Sequence, residues 1–130
     1  MTYRDVLDAA VRLLSEDNDY GYVEDYTARA PYVLATFDLE CAAADRAYRQ
    51  SHGLNESATP TSTCVELGER FRLSDVFYPA ALYYLSAMLV MDENEDLGER
   101  FFELYSDAVS KILAALPAGL SKIVDSYHLI

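Results

Sequence analysis

Counted from Asp92, oxygen-bearing residues fall at positions 1, 3, 5 and 12 of one short stretch: Asp92, Asn94, Asp96 and Glu103. That is the ligand spacing of a helix–loop–helix calcium site, in which carboxylate and amide oxygens close around a hard cation. Such a loop needs glycine at its sixth position, where the chain turns sharply. Here that position is Leu97, Gly98 comes one residue late, and the eighth position, usually apolar, is Glu99. A second use accounts for the same residues without metal. Asp96 caps a helix with Glu99 three residues on, an acidic form of the capping box, and Glu99 and Glu103 sit on early turns where the helix dipole favours anions. The stretch reads as an inter-helix turn, and no residue is assigned as a metal ligand.

Other reactive side chains are sparse. His52 and His128 are the only histidines, and neither follows a Glu at the three-residue spacing of a di-metal bundle site. Cys41 and Cys64 lack paired metal spacing and read as two free thiols, Cys41 packed on an apolar helix stripe. No G-x-S-x-G and no phosphate-binding glycine loop occurs. No catalytic or cofactor-binding residue is assigned, no cofactor is expected, and the expectation is a protein that is not an enzyme.

The elements that must position these residues follow from length and pattern. A chain of 130 residues with 52% hydrophobic side chains, four Pro and five Gly is expected to be a single ordered domain spanning 1–130. A net charge of -12 opposes sequence-independent binding to nucleic acid or to anionic membrane. Arg4, Asp5 and Asp8 interrupt the place where an export signal would need apolar residues. The longest uncharged run, Val76 to Met91, contains Pro79 and is too short to span a membrane.

Thr2, with Asp5 three residues on, opens a first helix carrying Val6, Leu7, Ala10, Leu13 and Leu14, closed by a polar turn at Gly21. A second helix, started or kinked at Pro31 after a short helical lead-in, has the stripe Val33, Phe37, Cys41, Ala44 and Tyr48. Asp38, Glu40, Asp45, Arg46 and Arg49 are expected mainly off that stripe, and Gly53 is the stop. Residues 53–75 form a long loop, within which "TCVEL" is a short strand or an extended stretch laid on the core. Leu73-Ser74-Asp75 leads into a third helix, Pro79 to Met91, apolar on nearly every face and therefore central. The fourth, Leu97 to Leu116, has the stripe Leu97, Phe101, Leu104, Ala108, Ile112 and Ala115, widened by Phe102, Val109, Leu113 and Leu116. Pro117-Ala118-Gly119 ends it and leaves a tail over 117–130. The expected fold is all-α, a small bundle of about four helices with a long loop before the third.

The string "CVELGERFRLSDVFYPAALYYLSAMLVMDENEDLGERFFELYSDAVSKIL", Cys64 to Leu113, resembles the head–tail connector (adaptor) proteins of tailed bacteriophages and prophages. Its parts are a short x-V-x-L segment, a polar stretch ending in L-S-D, an apolar P-A-A-L-Y-Y-L-S-A-M-L helix, an acidic turn and an amphipathic F-F-E-L-Y-S-D-A helix. The resemblance implies an α-helical structural protein that assembles as a homo-oligomeric ring beneath the portal and contacts portal and tail or stopper proteins. It further implies a place in the virion, and in the bacterial cytoplasm during assembly, with DNA passing through the channel unbound. The 53–75 loop and the tail would then meet neighbouring subunits or the portal. The alternative is an acidic helical protein-binding or regulatory module.

Overall fold

The computed structural model describes residues 1–15, 23–56, 60 and 62–117. Gly21, the expected stop of the first helix, and the tail beyond Pro117, with His128, lie outside the described residues. Among those described the elements are four helices: α1 (Tyr3–Ser15), α2 (Val23–Ser51), α3 (Tyr78–Val90) and α4 (Glu95–Ala114), with a 3-10 turn at Asp75–Phe77. The all-α expectation holds. No helix among the described residues is long and apolar enough to cross a membrane.

α1 begins with the expected reciprocal cap. Thr2 N donates to Asp5 Oδ2 at 2.8 Å, and Asp5 N donates to Thr2 Oγ1 at 3.3 Å. Tyr3, Val6, Leu7, Ala10 and Leu14 form its buried face at helical spacing.

α2 runs unbroken through Pro31, which neither starts it nor divides it from a lead-in. Proline removes one intrahelical donor. Tyr26 and Ala30 on one side of it and Leu34 and Phe37 on the other are buried in one core, and that shared packing carries the helix across the gap. The far end is the expected glycine stop. Gly53 has φ 65°, Leu54 N donates to Arg49 O at 2.8 Å and Gly53 N donates to Gln50 O at 3.4 Å, the two bonds of a Schellman ending.

α3 is the centre of the bundle and packs against all three other helices, most extensively against α4. Pro79 lies in its first turn, where its missing N–H has no intrahelical role. Leu85, Leu89 and Val90 are fully buried.

α4 faces the core with Gly98, Phe101, Tyr105, Val109 and Leu113. The expected stripe is therefore turned: Leu104, Phe102 and Ala115 are exposed, and Tyr105 takes the inner position beside Leu104. The phenol makes this possible, since its ring packs on Tyr84 at 5.0 Å and Phe37 at 6.1 Å while its hydroxyl donates to Glu40 Oε2 at 3.1 Å.

Within the long loop, "TCVEL" is not a strand: the chain bends at Thr63 and Cys64 and turns at Leu67, with Val65 buried on the core. Phe71 and Leu73 follow it inward. The loop backbone also completes the start of α1, whose first N–H groups have no partner within the helix. Tyr3 N donates to Glu69 O at 3.1 Å, Arg4 N donates to Leu67 O at 2.9 Å, and Thr2 and Arg70 form an isolated antiparallel bridge. Val65, Phe71 and Leu73 of the 53–75 loop are thus part of this chain's own core.

Because Leu85 is fully buried in the central helix, Leu85→Ala should cost about 2–5 kcal/mol of unfolding free energy in a urea titration. A loss below about 0.5 kcal/mol would place α3 at the surface instead.

Candidate functional site

The acidic turn does not gather its oxygens. Among the described residues no three His, Cys, Asp or Glu side chains are placed to hold a metal ion together. Asn94, third in the calcium-like spacing, is the N-cap of α4: its backbone is extended and its Oδ1 accepts from Leu97 N at 3.1 Å. The cap expected at Asp96 is thus two residues early, and Glu95 and Asp96 occupy the first turn, where the dipole favours them. Gly98 has a packing reason. A Cβ there would stand 2.7 Å from Met91 Sδ and 3.0 Å from Met91 Cα, so glycine lets α4 start flush against the end of α3.

α2 closes the other side of this turn. Tyr26 Oη donates to Glu93 Oε2 at 3.0 Å. The Arg29 guanidinium donates to Met88 O at 2.8 Å and Leu89 O at 3.2 Å, carbonyls at the end of α3 where a cation suits the dipole. Its remaining partner is Asp25 at 3.2 Å.

At the other end of the bundle lies the arrangement that the sequence reading missed. Asp38 and Asp45, expected off the apolar stripe, are 1% and 2% exposed. Leu34, Asp38, Cys41, Asp45 and Tyr48 step by four, three, four and three, so both carboxylates lie on the inward face. Asp45 Oδ1 accepts from Ser74 N at 2.9 Å and Ser74 Oγ at 2.6 Å, and Oδ2 accepts from Arg49 Nε at 2.9 Å. Arg49 then donates to Asn55 O at 3.0 Å and to Arg72 O at 3.1 Å. One ion pair on α2 holds the loop at residues 55, 72 and 74.

Asp38 makes the second anchor. Its Oδ2 accepts from Tyr3 Oη at 2.5 Å, and Tyr3 Oη accepts from Arg72 N at 3.3 Å. Its Oδ1 has no hydrogen-bond partner among the described residues. Burial pushes the Asp38 carboxyl up to about 6 despite the Tyr3 hydrogen bond and the Arg72 charge, which pull it down. Burial and the Asp38 carboxylate together raise the Tyr3 hydroxyl well above its ordinary range.

Nucleophilic chemistry finds little support in this geometry. Burial pushes the Cys41 thiol up to about 12, opposite to the shift a reactive thiolate needs. Both cysteines are free, Cys41 buried and Cys64 exposed. His52 stacks on Tyr48 at 4.1 Å beyond the last residue of α2, its Nδ1 2.9 Å from Tyr48 O. Burial pushes the Tyr84 hydroxyl up to about 12 and raises Tyr105 as well, which keeps both neutral as core residues. A cleft of about 700 Å³ beside the loop is lined by Arg49, Arg70 and Arg72, but the Arg49 guanidinium is already committed to Asp45 and two carbonyls. Comparison of the chain with protein-family models, with curated proteins and with solved structures finds no match.

Two outcomes test the anchors. Asp45→Ala leaves Arg49 and both Ser74 donors without their carboxylate, so it should cost about 3–5 kcal/mol in denaturant and speed exchange of the Ser74 amide. A loss under about 1 kcal/mol would show that the loop holds without it. Asp38 has a folded pKa above its unfolded value, so its contribution is fully present below about pH 3.8 and is lost as pH rises through about 6. The stability of the protein relative to its Asp38→Asn variant should therefore fall by on the order of 3 kcal/mol between pH 4 and pH 7. A difference independent of pH would mean that Asp38 titrates normally.

Proposed function

We propose that this chain is a non-enzymatic structural protein of a tailed phage or prophage, a head–tail connector adaptor that oligomerises into a ring between portal and tail. One observation supports it above the rest: the resembling string divides where the fold divides. Cys64 to Ser74 is the stretch laid over the core, "PAALYYLSAML" lies within central α3, "DENED" covers the turn and the first two residues of α4, and "FFELYSDA" lies on α4. An acidic surface suits a channel wall along which DNA slides without adhering. The partners under this reading are other copies of the chain, the portal, and tail or stopper proteins, and its place is the virion after assembly in the bacterial cytoplasm.

The alternative, an acidic helical protein-binding or regulatory module, is favoured by the carboxylates of residues 92–103, none of which is in an ion pair among the described residues.

At -12 per chain, neighbouring copies repel until salt screens them. Sedimentation velocity should find a monomer or small oligomer at roughly 0.05 M salt, with larger assemblies at roughly 0.5 M or on addition of the cognate portal ring. A chain that never associates with that portal at any salt concentration would sink the adaptor reading and leave the module in its place.

A further inference from the structure

Toward the end of α3, beyond the point where Tyr105 of α4 meets Glu40 of α2, Met88 and Met91 are only partly covered. Two hollows lie there and meet at Met88. The first, about 390 Å³, is lined by Met88, Met91, Glu99, Phe102 and Glu103. The second, about 290 Å³, lies on the α2 side, where Tyr32, Thr36 and Tyr84 join Met88. Met88 lines both, and beneath them Phe102 packs on Tyr105 at 5.5 Å and Tyr105 on Tyr84 at 5.0 Å. The flanks are open, with Tyr32 59% and Phe102 40% exposed. Large aromatic rings left that accessible over a methionine floor have the character of a contact surface, and methionine adapts to whichever apolar side chain meets it.

The charge beside this groove selects the occupant. Asp92, Glu93, Glu95, Asp96, Glu99 and Glu103 stand along the turn and the first half of α4 against a single cation, Arg100. Among the described residues none of these six is in an ion pair. Arg29, at the opposite side, is already bonded to the α3 carbonyls and Asp25. A nucleic acid or an anionic lipid surface would be repelled, and so would a second copy of a chain carrying -12. A cationic protein segment would be drawn in. The hollow between α3 and α4 carries apolar side chains with two carboxylates beside them, a surface that suits the apolar face of an amphipathic helix.

We propose that this groove docks an amphipathic basic helix of a partner protein. Its apolar side chains sit on Met88, Met91 and Phe102, and its lysines or arginines face Glu99 and Glu103, with the exposed carboxylates of Asp92, Glu95 and Asp96 adding to the field. The inference does not rest on the adaptor reading. The two also have opposite salt dependences: this docking weakens as salt rises, whereas self-assembly strengthens.

The test is fluorescence anisotropy of the full chain with labelled synthetic peptides at low salt. One peptide carries leucines at i, i+3, i+4 and i+7 among lysines. A second keeps the leucines and replaces lysine by glutamate, and a third scrambles the first. The lysine peptide should bind with a Kd on the order of 10–100 µM, and the other two at least about tenfold more weakly. Phe102→Ser, and separately Glu99→Lys with Glu103→Lys, should each weaken binding about tenfold while the circular dichroism spectrum shows the chain still folded at the binding temperature. Asp8→Lys with Asp107→Lys makes the same change of charge at exposed positions outside the groove and should weaken binding no more than about twofold. The proposal is overturned if the scrambled peptide binds as well, if the distant pair weakens binding as much as the groove pair, or if no saturable binding is seen. It is equally overturned if Phe102→Ser leaves the peptide bound but breaks self-association, which would put a second copy in the groove.

Discussion

Two carboxylates buried seven residues apart on α2 organise the region where the loop, the first helix and the central helix meet. Asp45 receives Ser74 by its amide and its hydroxyl, and through Arg49 it fixes the carbonyls of Asn55 and Arg72. Asp38 receives Tyr3, whose oxygen in turn receives the Arg72 amide. Residues 62–74 contain little secondary structure of their own, so their backbone groups need partners elsewhere. The anchors and the first turn of α1 supply them. With the backbone bonded in this way, Val65, Phe71 and Leu73 can enter the core at modest cost.

The two anchors differ in kind. Asp45 is balanced by a guanidinium and by two neutral donors, so its charge is held by short bonds on both oxygens. Asp38 has one hydrogen bond and one bare oxygen, in surroundings that disfavour its ionised form. The second site is therefore a point where folding and proton uptake are linked, although nothing on the outer surface of the bundle reveals it.

At the opposite pole, the acidic turn divides its labour. Asn94 caps α4, Gly98 admits the end of α3, and Glu93 is held by Tyr26, while the remaining carboxylates face solvent beside an open apolar groove. The charge that reads as a metal loop in one dimension is, in three, a margin of negative potential along a contact surface. Fold alone does not assign function. The adaptor reading and the docking groove rest on separate observations and can fail separately.

Local signals fixed much of this protein before any tertiary contact was known. The Thr2–Asp5 cap, the Gly53 ending, the apolar centrality of α3 and the presence of a turn at 91–94 all depend on residues within a few positions of one another. The choice between Asp96 and Asn94 as the cap was not settled locally, since both side chains can accept from a helix amide and only the backbone path selects one. The continuation of α2 through Pro31, the rotation of α4 that turns Tyr105 inward, and the burial of Asp38 and Asp45 belong to the tertiary structure. Each depends on partners far along the chain: the core in which Tyr26, Ala30, Leu34 and Phe37 are buried, for α2; Glu40, for the Tyr105 hydroxyl; and Tyr3 and Ser74, for the aspartates. A polar residue on an inward face costs free energy alone and becomes favourable only when a distant donor meets it, so its place cannot be read from periodicity.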